Sequence, residues 1–168
     1  MIRPRHAVFA VLLSLAAFGT GCTTNPVGRI CDLGAATPQV GDVVVATPSL
    51  DCVSRTCLRV PAQRKPPPGS NIGNLTLNQG LCSSECSIDG DCDRVPESPC
   101  LTGFTCGEAT TAGPFCCKKF CICKDFVVIP DQSNELPVEA ACDASNVLNH
   151  CCNLEGRPGN PMHPMCKG

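Results

Sequence analysis

The sequence predicts a small disulfide-rich fold, mostly irregular, with short β-strands or hairpins and one short C-terminal helix. Three observations predict it. Seventeen cysteines stand among 168 residues, a density that marks a disulfide scaffold. The chain has no Trp, no Tyr and six Phe, so its aromatic core material is sparse. Sixteen Pro and fifteen Gly are spread along it and favour turns over long elements. Such a chain buries too little apolar surface to offset its conformational entropy by packing alone. Crosslinks supply the difference, typically about 2–4 kcal/mol each.

Residues 1–21 read as a signal peptide. Arg3, Arg5 and His6 form a basic start, Ala7 to Phe18 is apolar except for Ser14, and Gly19, Thr20 and Gly21 are small, as a cleavage site requires. That apolar run is shorter than the roughly 20 residues of a membrane-spanning helix, and no later stretch is longer. Residues 22–30 read as a tether ahead of the first structured cysteine. Residues 31–64 form a first lobe with Cys31, Cys52 and Cys57, in which Val43-Val44-Val45-Ala46 and Val53 to Val60 read as strands. Residues 65–80, opening on Pro66-Pro67-Pro68, read as a Pro-rich, semi-rigid linker, with Asn71 to Leu77 as a short strand inside it. Residues 81–129 form the Cys-dense core lobe, holding Cys82, Cys86, Cys92, Cys100, Cys106, Cys116, Cys117, Cys121 and Cys123. Phe115 to Ile129 alternates as a strand or hairpin does. Phe104, Phe115, Phe120 and Phe126 mark the expected main apolar cluster. Residues 130–168 form a C-terminal lobe with Cys142, Cys151, Cys152 and Cys166, and Asp143 is placed to cap the short helix.

Parity organises the cysteines. With Cys22 set aside, the remaining sixteen pair completely. Export supports disulfides, which persist outside the cytosol and are rare within it. Sixteen cysteines allow on the order of two million connectivities, so the pairing stays open. Adjacent cysteines rarely bond to each other, so Cys116-Cys117 and Cys151-Cys152 each reach two partners and act as crosslink hubs.

The segment ending Gly19-Thr20-Gly21-Cys22 resembles a lipobox, the lipoprotein signal-peptidase motif, with Gly19 departing from the family's preferred Leu. The resemblance implies Cys22 as acyl acceptor and membrane lipid as its partner. The non-acidic Thr23 implies sorting to the outer membrane. A conventional secretory signal cut after Gly21, leaving Cys22 free, is the alternative. The whole chain resembles Cys-rich bacterial lipoproteins, which implies location rather than activity. Cys86-Ser87-Ile88-Asp89-Gly90-Asp91-Cys92 and Cys116-Cys117-Lys118-Lys119-Phe120-Cys121 resemble pieces of the four-disulfide-core (whey acidic) domain, a family that includes secreted protease inhibitors. This sequence departs from it in placing 23 residues and two further cysteines between the motifs.

The candidate chemistry is thin. Asp89, Asp91 and Asp93 alternate and offer oxygen to calcium, but an EF-hand loop from Asp89 fails, with Arg94 where the turn glycine belongs and Cys100 where the bidentate glutamate belongs. His150, His163 and neighbouring cysteines offer zinc ligands that oxidation would remove. No nucleophile elbow or phosphate-cradling loop is present. No cofactor, metal or enzymatic activity is expected. The charge balance, formally −2 for the whole chain and −4 once Arg3 and Arg5 leave with the signal, does not favour nucleic acid. The expected role is non-enzymatic, an envelope or surface protein that binds an unidentified protein or envelope partner. The alternative is a secreted protease inhibitor or binding module, with Ser54-Arg55-Thr56 between Cys52 and Cys57 as bait.

Overall fold

The computed structural model describes residues 26–34, 37–133, 135–142, 151–152, 154 and 156–161. Six short strands carry the fold: β1 Ile30–Asp32, β2 Val44–Ala46, β3 Thr56–Arg59, β4 Gln79–Ser83, β5 Phe104–Glu108 and β6 Lys119–Cys123. The first four make an antiparallel sheet in the order β1-β4-β3-β2, and β5 and β6 pair as a second, two-stranded sheet. Among the described residues the helical pieces are three-residue 3-10 turns. The fold is therefore small, disulfide-rich and mostly irregular, as expected. The expected C-terminal helix falls at 143–150, outside the described residues.

The four-stranded sheet is strongly coiled. Neighbouring strands lie about 4.8 Å apart, so residues two strands apart in a flat sheet would sit about 10 Å apart. Cys31 of β1 and Cys57 of β3 flank β4, yet their Cα atoms are 5.9 Å apart and they are disulfide-bonded. Gly80, opposite Cys31 in β4, allows this. A Cβ there would stand 2.6 Å from the Leu58 carbonyl oxygen and 3.1 Å from Cys57 Sγ, so only a glycine lets the backbones close so far.

Two of the expected strands coincide in part with observed ones: Val43–Ala46 with β2, and Val53–Val60 with β3. In the Phe115–Ile129 stretch, β6 occupies the centre, but its partner β5 lies upstream, with Cys106 opposite Cys121 and Glu108 opposite Lys119. The Asn71–Leu77 strand is corrected: Ile72–Asn74 is a 3-10 turn. Its backbone bonds locally, Asn74 N–H to the Asn71 carbonyl and Leu75 N–H to the Ile72 carbonyl. Residues 65–80 pack against the fold, since Ile72 is buried in the core and Asn71 N–H donates to the Pro99 carbonyl (3.1 Å).

The core is divided into three clusters. One joins Val27, Ile72, Leu81, Cys100, Phe104, Cys121 and Cys123. A second is Leu33 with Cys31, Cys52, Cys57 and Cys82, so two disulfides are most of its apolar substance. The third joins Leu58, Val60, Phe120, Ile122 and Val127, with Phe115 edge-on to Phe120 at 6.0 Å. Phe104, Phe115, Phe120 and Phe126 are thus shared between two clusters instead of forming one.

The sheets are stitched together through β4 and the residues after it. Ser83 Oγ donates to the Cys121 carbonyl (2.8 Å), and Cys121 N–H donates to the Ser84 carbonyl (3.0 Å). Lys118 pairs with Glu85 at 2.7 Å.

Candidate functional site

All fifteen described cysteines are disulfide-bonded. Seven pairs lie wholly within the described residues: Cys31–Cys57, Cys52–Cys82, Cys86–Cys106, Cys92–Cys121, Cys100–Cys123, Cys116–Cys151 and Cys117–Cys142. Cys152 is bonded as well, to a partner outside them. Cys116 and Cys117 reach different partners, and together they pin residues 142 and 151 onto the loop between β5 and β6. Cys22, Cys166, His150 and His163 fall outside the described residues.

The Cys86–Cys92 turn illustrates how the framework uses its carboxylates. Cys86 and Cys92 bond to Cys106 and Cys121, which face each other across β5 and β6. Between them, Asp89 Oδ1 accepts from Cys106 N–H (2.7 Å) and Thr105 Oγ1 (3.0 Å), and its Oδ2 pairs with Lys124 Nζ at 3.1 Å. Burial acts to raise the Asp89 carboxyl, but the Cys106 N–H, Lys124 and Thr105 outweigh it and hold it below the usual carboxylate range. Asp91 Oδ2 accepts from Ser87 N–H (2.7 Å) and Ile88 N–H (3.0 Å), and those two bonds lower its carboxyl. The Asp89, Asp91 and Asp93 oxygens are not among the described groups of three or more ligand atoms within 4.8 Å of one another. Two of the three carboxylates are committed to holding the turn. The groups that do converge are made of cysteine sulfurs already in disulfides, joined in one case by an Asp125 oxygen, and disulfide sulfurs are not thiolate ligands.

Asp125 is the one buried acid among the described residues, at 0% exposure. Its Oδ2 accepts from Ser70 Oγ (2.5 Å) and Leu101 N–H (2.7 Å), and its Oδ1 accepts from Thr102 N–H (3.0 Å) and Thr102 Oγ1. It lies two residues after β6 and ties three segments far apart in sequence. Burial pushes its carboxyl up, and the four donors together outweigh that and hold it low. Sequence reasoning missed it, because its partners lie 23 to 55 positions away.

Arg55 is exposed, as a bait residue must be, but its backbone is not extended. Its φ is +61°, in the left-handed region. Its carbonyl accepts from Ser49 N–H (2.8 Å), and its N–H donates to the Cys52 carbonyl (3.0 Å). Recognition by strand addition needs an extended segment with free main-chain groups, and Ser49–Arg55 is a closed turn. A groove of about 220 Å³ is lined by Leu58, Val60, Ile72, Leu75 and Phe126, with Arg59 at its wall. Arg59 Nη1 donates to the Thr76 and Gln79 carbonyls. The described lining therefore offers apolar surface and one cation, without an acid–base pair.

No family model, curated protein or solved structure matches this chain.

Proposed function

We propose that this chain is a lipid-anchored, Cys-rich lipoprotein of the bacterial cell envelope, sorted to the outer membrane. Cys22 is its acyl acceptor, and its role is a non-enzymatic one of display or binding at the surface. The observation that carries the reading is that every described cysteine is oxidised. Disulfides on this scale belong to an exported protein, and residues 1–21 have the make-up of an export signal. Seventeen is odd, so complete pairing leaves one cysteine over. Within the described residues only Cys152 still takes a partner from outside them. That leaves Cys22 or Cys166 as the odd one, and Cys22 is the one that follows small residues after an apolar run.

Among the described residues no helix is long and apolar enough to cross a membrane. In this reading, retention at the membrane falls to the lipid. Several acyl chains on one cysteine anchor stably, at about 0.8 kcal/mol per buried methylene. The test is metabolic labelling with an alkyne fatty acid, followed by fractionation. Wild-type protein is expected to carry the label in the membrane fraction, and Cys22→Ser to lose both label and membrane retention. Equal labelling and retention in Cys22→Ser would overturn the proposal.

A further inference from the structure

We infer that the turn Ser49–Arg55 is a membrane-docking tip, which seats Leu50 and Val53 in the interfacial layer of the bilayer that holds Cys22. The inference rests on the lipid-anchor reading and adds where the folded part meets the lipid.

Position is the first argument. Val53 shares a shallow depression with Pro26 and Arg29, and Pro26 is the first described residue. Four residue steps separate Cys22 from Pro26, at most about 14 Å of extended chain. An acylated Cys22 sits at the headgroup level, so Pro26 and the turn beside it are held within reach of that layer.

The turn's surface is the second. Leu50 is 83% exposed and Val53 68% exposed, and they stand three residues apart on one turn. Exposed apolar residues scattered singly need no explanation. Two on a turn beside the lipid-bearing end are placed to bury apolar area where interfacial anchors do, in the headgroup–acyl boundary.

The third is that part of the turn's polarity is satisfied internally, which lowers the polar cost of entering that layer. Ser49 N–H and the Arg55 carbonyl pair, as do Arg55 N–H and the Cys52 carbonyl. Asp51 Oδ2 accepts from Asp32 N–H (2.9 Å), and Ser54 Oγ donates to the Ser83 carbonyl. Unsatisfied polar groups are what make apolar insertion costly. The Cys52–Cys82 disulfide fixes the turn to β4, so little order has to be gained on docking. The Arg55 main chain closes the turn, and its exposed guanidinium suits a lipid phosphate, which it can engage with two parallel donors.

The chain has no Trp, so a single introduced indole reports its own surroundings. Leu50→Trp, Val53→Trp and the control Val138→Trp would be made in the full-length protein. Val138 is also exposed but neighbours Glu139, whose N–H donates to Glu108 at the end of β5. Each variant would be purified from the membrane fraction and its acylation checked by intact mass. It would then be reconstituted in phosphatidylethanolamine–phosphatidylglycerol vesicles with brominated acyl chains. The expected result is blue-shifted, bromine-quenched emission from positions 50 and 53, and neither effect from position 138. Acylated protein with positions 50 and 53 quenched no more than 138 would overturn the tip and leave the anchor standing. An unacylated mass in all three would overturn the anchor reading and the tip with it.

Discussion

Replacing Asp125 with Asn changes one atom of the side chain and removes half of what it holds. In the native protein four donors converge on two carboxylate oxygens, from Ser70, Leu101 and both the main chain and hydroxyl of Thr102. In Asp125→Asn one oxygen remains, and an NH2 group faces the other two donors. Hydrogen bonds to a charged acceptor contribute about 1.5–3 kcal/mol each, so losing two gives an upper bound of about 3–6 kcal/mol. The half-buried Ser70 hydroxyl can turn to water, which brings the expected loss to about 2–4 kcal/mol. The assay is amide hydrogen exchange. At 1.36 kcal/mol per tenfold change, the Leu101 and Thr102 amides should exchange about 30- to 1,000-fold faster in Asp125→Asn if they open locally. A pH arm checks the charge itself. The native carboxyl is held below its ordinary value, so its stabilisation is complete above the unfolded value of about 3.9. It is lost as pH falls below that through the native value. Asp125→Asn should lack that share of the acid-side loss. Unchanged protection of both amides in the variant would refute the reasoning.

Two further predictions concern the coiled sheet. Gly80→Ala should lower stability by about 1–3 kcal/mol, the range for overpacking, because the new methyl meets the Leu58 backbone. A thermal melt with an unchanged midpoint would contradict the close approach described for β3 and β4. Removing the Cys31–Cys57 crosslink as a double Cys→Ala variant frees a loop with a separation of 26 residues. The loop-entropy relation gives about 3.5 kcal/mol for that length, and denaturant unfolding of the otherwise oxidised protein would measure it.

Part of this fold was legible in the sequence because part of it follows local rules. The Val-rich run at 43–46 and the stretch at 53–60, with Val53, Thr56, Leu58 and Val60, mark strands by composition, and β2 and β3 lie within them. Strand β4 does not announce itself. Gln79-Gly80-Leu81-Cys82-Ser83 is buried over its last four residues, so it shows no alternation, and its glycine reads as a breaker when it is there for a close approach. Strand β1 is three residues long and starts inside the stretch read as a tether. Its pairing is with β4, about fifty residues on, which no local pattern reveals. In and just after the Cys86–Cys92 turn the alternating Asp89, Asp91 and Asp93 read in the sequence as a candidate cation site. Asp91 accepts from Ser87 and Ile88 within the turn itself, but the use of Asp89 as acceptor for Thr105, Cys106 and Lys124 depends on the β5–β6 hairpin packing beside it. The same holds for Asp125. The partners of the two conspicuous acids are set by tertiary structure, and so is the left-handed backbone that turns Arg55 away from a bait conformation.

The central claim is that Cys22 carries lipid while the remaining cysteines carry the fold. It is tested most directly by the intact mass of protein taken from the membrane fraction and alkylated without prior reduction. The account predicts the mass of the 22–168 chain plus acyl groups, with no alkyl adduct. The bare 22–168 chain carrying a single adduct at Cys22 would contradict it and make the protein a conventionally secreted one.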